Sequence, residues 1–404
     1  MKFNKWTLGL AAVGVVSLTS AARADETNMV KTALSSTTIS GYVDVSAQFN
    51  PNGGGGAFGQ PAAPNYTYGN KANGVNLNVV DITLDKPLDE SPWASGYHIE
   101  FWVGPDGQTL GVGNDIRQAY IALRTPVGNG IDWKVGVFDA IIGYEGSTSG
   151  NNPNYSHSFG FNLEPTTSTG IVANYKATDW ISMQAGIANC MYGGAGAYNA
   201  ATGTQLYTPS VMWGPTLTAP ESWGWAKGAT LSVGTIITSG STAQTTGGNF
   251  NTGNGTGARS YYAGFALPTP VAALKFGGSF DYLNAKDISA NAWTMAAYST
   301  YQFNDKLSLN LRAEYLNGGG NTGIGQTLNG GAYLDATGQN SQAQELTATV
   351  QYNLWENVLT RLEFRWDHVN HASNSGYAVG YVNDGGSSPQ ANAFLLAAQA
   401  IYKF

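Results

Sequence analysis

The 404-residue chain has a single cysteine, Cys190, so an intrachain disulfide framework is excluded. Charged residues are scarce, at 11%, and only four histidines occur. The formal charge is −7, or −10 once Lys2, Lys5 and Arg23 are removed with the leader described below, and a surplus of that sign argues against a nucleic-acid partner. No Walker motif, HExxH or CxxC is present, and Gly318 to Gly323 fits GxGxxG only within a glycine-rich loop with no strand-to-helix unit around it. Apart from the first residues, no apolar run approaches the length of a spanning helix. What is abundant is aromatic residues, at 12%, and glycine, with 53 copies.

The first residues read as a leader. Lys2 and Lys5 precede an apolar stretch from Trp6 to Leu18, and Ala22-Arg23-Ala24 supplies small residues before a cut. That layout predicts a secretory signal peptide over residues 1–24, with a polar leader over 25–37 and one domain over 38–404.

From Thr38 onward the chain alternates between apolar and polar residues with period two, which is strand geometry. In Thr38 to Phe49 the residues Val43, Val45, Ala47 and Phe49 share one face, and Asp44, Ser46 and Gln48 the other. The same alternation runs through Gly96–Val103, Ile116–Arg124, Ile131–Asp139, Thr169–Lys176 and Ile181–Asn189. Thr208–Leu217 is weaker because Pro209 and Pro215 lack the N–H a ladder needs. The pattern is most regular at the end, where Arg312 and Glu314, then Arg361, Glu363, Arg365 and Asp367, share the polar side of their strands. The total is about sixteen strands (14 to 18) by this count, and short turns alternate with long Gly-, Asn- and Thr-rich loops. Tyr42, Trp133, Tyr175, Tyr282, Tyr315 and Tyr352 stand where an aromatic belt would meet headgroups. The expected fold is all-β: a transmembrane antiparallel barrel with apolar residues toward lipid, short periplasmic turns and long extracellular loops.

A polar inner face cannot pack dry without partners, so the lumen is expected to be wet and the barrel to be a porin for ions and small hydrophilic solutes. Arg312, Glu314, Arg361, Glu363, Arg365, Asp367, Lys134 and Lys176 are the candidate pore-lining residues. The loop over residues 140–168 is long and rich in aromatics, which predicts that it packs against something. Folded inward as a constriction that also holds His157, it would set Asp139, Glu145 and Glu164 against the arginines and create a transverse field. An ordinary surface loop is the bland alternative, as cross-strand salt bridges are for the charged ladder. On this reading, reversing Arg361 and Arg365 to Glu shifts ion preference toward cations.

Ser156 and His157 are adjacent in sequence, which does not supply a catalytic pair, and His368 with His371 and Asp367 is better read as belt or loop residues than as a metal site. The expectation is therefore no enzyme, no metal and no cofactor. A structural or adhesive surface barrel with a plugged lumen is the competing reading. A soluble lectin-like sandwich is disfavoured by the apolar outer faces of Leu307–Tyr315 and Leu346–Leu354.

Two resemblances point the same way. The chain ends on NAFLLAAQAIYKF, and Tyr402 with a terminal Phe404 resembles the C-terminal signature of bacterial outer-membrane barrels, which implies recognition by the barrel assembly machinery. Arg117-Gln118-Ala119-Tyr120, Gly136-Val137-Phe138, Gly143-Tyr144-Glu145, Asn154-Tyr155-Ser156, Glu164-Pro165, Thr169-Gly170 and Ala219-Pro220-Glu221-Ser222-Trp223-Gly224 resemble the OmpL-like β-barrel porins. That resemblance implies an outer-membrane barrel in contact with lipid and channel activity. Barrels of this kind are often homotrimers.

Overall fold

In the computed structural model, the residues described are 36–50, 71, 73–110, 115–191, 198–199, 204–205, 209–238, 258–285, 290–319, 341–370, 381–382 and 389–404. The expected signal peptide, nearly all of the leader, His371 and most of the long loops lie outside them.

Sixteen antiparallel strands close into a barrel. The first half runs β1 Thr38–Phe49, β2 Gly74–Lys86, β3 Ser95–Val103, β4 Ile116–Thr125, β5 Ile131–Asp139, β6 Thr167–Lys176, β7 Ile181–Ala188 and β8 Ser210–Thr218. The second half runs β9 Thr230–Thr238, β10 Ala258–Pro268, β11 Leu274–Ala285, β12 Ala290–Gln302, β13 Leu307–Gly319, β14 Ser341–Trp355, β15 Val358–Val369 and β16 Asn392–Lys403. Each strand pairs with its neighbours in sequence, and β1 closes the ring on β16, from Tyr42 opposite Lys403 to Phe49 opposite Leu396. Past the end of that ladder, Gly41 and Phe404 exchange reciprocal backbone hydrogen bonds, each 3.0 Å long. A closed ring leaves no free edge, which is what hydrocarbon demands of a sheet. Among the described residues no helix is long and apolar enough to cross a membrane.

The alternation places side chains as period two requires. Val45, Ile121, Leu311, Val350, Leu362 and Leu396 are exposed on the outer face, where lipid would meet them, while Asp44, Arg312, Thr349, Arg361 and Gln399 are buried inside. Proline is accommodated by a local gap. The ladder of β8 to β9 skips Gly214 and Pro215, whereas the ladder to β7 is continuous, and Pro215 stands opposite Met183 there.

One expectation about the aromatics changes. Tyr42 does not reach a belt: its ring is buried inside with Val79, Trp102, Phe161, Leu359 and Ile401, because it shares parity with Asp44. The rim bearing short turns also exposes Trp93, Trp180, Trp223, Trp225 and Trp355. Strand β6 also begins at Thr167, two residues before the expected Thr169, so the preceding loop spans 140–166.

Candidate functional site

The loop between β5 and β6, residues 140–166, lies inside the barrel as a strap. It contains a short helix, α1 Phe159–Leu163, whose N-cap Ser158 accepts a hydrogen bond from the Phe161 N–H. Gly143 takes a φ of +124°, a backbone region that favours glycine, directly beside the Glu164 carboxylate.

The strap is held by its backbone. The N–H groups of Tyr155 and Ser156 donate to the two oxygens of Glu363, at 2.6 and 2.9 Å. Those of Phe159 and Gly160 donate to the two oxygens of Glu314, at 2.5 and 2.7 Å. Arginines take the carbonyls between these points. Arg361 donates to the Ser149 carbonyl at 2.9 Å and to those of Asn152 and Asn154, Arg312 to that of Ser156 at 2.7 Å, and Arg365 to that of His157 at 2.5 Å. Wall carboxylates thus bind strap donors and wall arginines bind strap acceptors. Charge-assisted bonds of this kind are stronger than neutral ones.

Side chains add to the clamp. Arg312 pairs with Glu145 of the strap at 2.8 Å and with Glu345 of the wall at 2.9 Å. Glu145 also accepts from the Tyr298 hydroxyl at 3.1 Å and the Ser158 N–H at 3.0 Å, and its other contact is His157 Nδ1 at 3.0 Å. Burial alone would raise the Glu145 pKa, but Arg312 and the His157 hydrogen bond outweigh it and hold the carboxyl down at about 2. For Glu164, burial and the neighbouring Asp281 carboxylate push the pKa well above its ordinary value. Tyr155 meets Ser46 at 2.9 Å on the opposite edge of the clamp. Beneath the strap, Ile142, Tyr155, Phe159 and Leu163 form an apolar cluster with wall residues such as Leu283, Leu316, Leu395 and Ala397.

These positions correct several expectations. Arg312, Arg361 and Arg365 are on the inner face but are only 1, 2 and 1% exposed, covered by the strap. They do not face open water, because Glu145 and the strap carbonyls are in direct contact with them. No open gap separates the acids from the arginines. Glu314 and Glu363 are spent on backbone N–H groups, and Asp367 pairs with Arg365 at 3.0 Å. On this part of the inner face the strap supplies hydrogen bonds that water was expected to supply. Asp139 pairs with Arg117, which also donates to Thr167 at 2.8 Å and Ser147 at 2.5 Å and so ties down both ends of the strap. Lys176 ends β6 and pairs with Asp179 of the adjoining turn at 2.8 Å. Lys134 is partly exposed on the inner face of β5, its ammonium 4.6 Å from the centre of the Tyr120 ring.

Ser156 and His157 are both engaged in the clamp, and the His157 ring stacks on Phe161 at 4.1 Å. His368 bonds Asn392 at 2.9 Å, and no metal-holding group of three His, Cys, Asp or Glu occurs among the described residues. The sequence reading missed the apolar inner cluster. Its signal was visible in the terminal strand, where Ala393, Leu395 and Ala397 make the inward face apolar too.

Comparisons with known proteins agree with this geometry. Residues 36–404 match the profile of the family described as "Putative beta-barrel porin-2, OmpL-like". No curated protein matches. Among solved structures, OmpT of Vibrio cholerae aligns with a TM-score of 0.54 at 12% identity, over 93% of this chain and 100% of that one. The anion-selective porin of Comamonas acidovorans gives 0.55 at 11%, over 91 and 99%. Salmonella typhi OmpF, solved with daunomycin, gives 0.56 at 10%, over 91 and 97%. At such identities the likeness establishes the fold.

Proposed function

The chain belongs to the OmpL-like β-barrel porin family, a bacterial outer-membrane family, and from that premise we propose that it is a passive channel for ions and small hydrophilic solutes. The observation that carries the reading is the uneven placement of the strap, whose polar clamp is all on one side of the barrel. Its clamp and short helix sit on the inner walls of β1 and β11–β16, while Ile142 reaches Gly234 of β9 and joins an apolar cluster with Phe138, Val172, Met212 and Ile236. The inner faces of β4 to β7 keep polar side chains partly exposed, among them Gln118, Tyr120, Lys134, Asn174 and Gln184. A barrel of this strand number encloses room for water beside such a strap. The strap then acts as the constriction, with Asp139, Glu145, His157 and Glu164 securing or flanking it.

Purified protein in a planar bilayer tests this. Discrete open steps are expected. A folded but silent barrel would instead favour the second reading, a surface barrel with a plugged lumen, which the apolar cluster under the strap makes worth distinguishing. The reading needs no catalytic residue. It includes export through the 1–24 leader, recognition of Tyr402 and Phe404 by the barrel assembly machinery, and a homotrimer as the working assembly. One solved neighbour, OmpT of Vibrio cholerae, is described in a trimer form.

A further inference from the structure

The strap carries three acidic or basic residues, Glu145, His157 and Glu164, and all three are buried. The residues it leaves uncovered, such as Ile141, Thr148, Asn151, Pro153 and Asn162, bear no charge. It therefore narrows the passage without presenting a charge to a solute. The wall arginines are hidden behind it. Discrimination by charge falls to the wall that the strap does not cover.

On that wall a row of side chains crosses four consecutive strands. Asp85 of β2 contacts His98 of β3 at 3.0 Å, and the His98 ring stacks on Tyr120 of β4 at 5.2 Å. Lys134 of β5 completes the row over the Tyr120 ring. The other cations nearby are committed: Arg124 to Asp132 at 2.6 Å, Lys176 to Asp179. Lys134 forms no ion pair among the described residues: its contact is the Tyr120 face, and the nearest carboxylates, Asp85 and Asp139, act on it without pairing with it and are themselves engaged by His98 and Arg117. It is the fourth of nine residues in β5, and it stands opposite Ala122 and Val172, which are too short to cover its head.

We propose that Lys134, propped on Tyr120, is the charge-selecting residue of the passage and that the solutes it favours are small anions. A cation over a ring keeps its charge available to an incoming anion, whereas a salt bridge cancels it. This rests on the porin reading above.

The test is the reversal potential across a potassium chloride gradient, with liposome swelling in potassium acetate and in glucose. The wild type is expected to prefer anions. Lys134→Glu should reverse the sign of the potential and slow acetate relative to glucose; Lys134→Met should abolish the anion preference; Lys134→Arg should retain it. Lys227→Gln, on a short turn, should behave as wild type. Heat-modifiable gel migration shows that each variant is folded. Open Lys134→Glu channels with the wild-type potential, or a cation-preferring wild type, would overturn this assignment and leave the porin reading standing. A wild type without conductance would overturn both.

Discussion

Arg312 shows how a residue acquires a role that its own strand does not reveal. Its guanidinium is fully buried and meets Glu145, Glu345 and the Ser156 carbonyl. Removing one partner from such a group strands the others in a dry site, at a cost of about 3–5 kcal/mol. Arg312→Met is expected to free the strap while the barrel stays closed, seen as new protease cleavage within residues 140–166 and a larger open step. Glu145 makes the same contact sensitive to acid. Its folded pKa of about 2 lies below the ordinary 4.5, so its contribution is complete above about pH 4.5 and is lost as the pH falls toward 2. The groups facing it are Arg312, His157 and Tyr298. Strap protection from protease should therefore hold from neutral pH down to about 4.5 and decline below it, and Glu145→Gln should flatten that decline. The sequence marked Arg312 and Glu145 as charges on opposite sides of one site. It did not show that they touch, because their contact joins positions 167 residues apart.

At the scale of elements, strands and strap were legible to different degrees. Each strand announces itself within about nine residues, since a one-residue slip would move every apolar side chain to the wrong face. Ile131–Asp139 was readable to its ends for that reason. The strap has no period, and only its length and aromatic content suggested that it packs. Its residues that resemble the OmpL-like porins, Glu145, Asn154, Tyr155, Ser156 and Glu164, prove to be clamp contacts or their neighbours. The glycine wall is a further condition for docking. A Cβ at Gly277 would fall onto the Tyr144 hydroxyl, and one at Gly234 would meet Ile142. Replacing residues 144–163 with a short Gly-Ser turn should enlarge conductance severalfold. In that variant Arg361→Glu with Arg365→Glu should shift preference toward cations, because the arginines would then meet solvent. In a chain that keeps a docked strap, reversal of a covered charge should alter strap order before it alters ion preference. Reversal potentials of the two backgrounds, read with protease protection, check this.

For the whole molecule the decisive contact is the one between its ends. Strand β16 lies between β15 and β1, so the last residues of the chain complete the ring. Phe404 adds a contact of its own, since its ring sits against Gly41, where a Cβ would meet ring carbons at 2.8 and 3.0 Å. Phe404→Ser is expected to lower the amount of folded barrel recovered from membranes, measured as loss of the heat-modifiable band. Full recovery would remove the terminal aromatic from assembly. Substitution on the lipid face has a separate signature: Leu311→Arg places a charge in hydrocarbon and should cost about 2–4 kcal/mol if it lies near the midplane, read as a lower urea midpoint in lipid.

Period-two alternation, an apolar outer face and long loops between short turns are local properties of the chain, and they suffice for an antiparallel barrel because only ring closure satisfies every backbone group in lipid. The clamp is different in kind. Glu363 finds the Tyr155 N–H across 208 residues and Glu314 finds the Phe159 N–H across 155. Such partners are chosen by where folding brings the strap, not by any neighbouring residue. Tertiary structure alone therefore decided that the wall arginines would hold backbone and that Lys134, among the described residues, would rest on a ring and not in an ion pair.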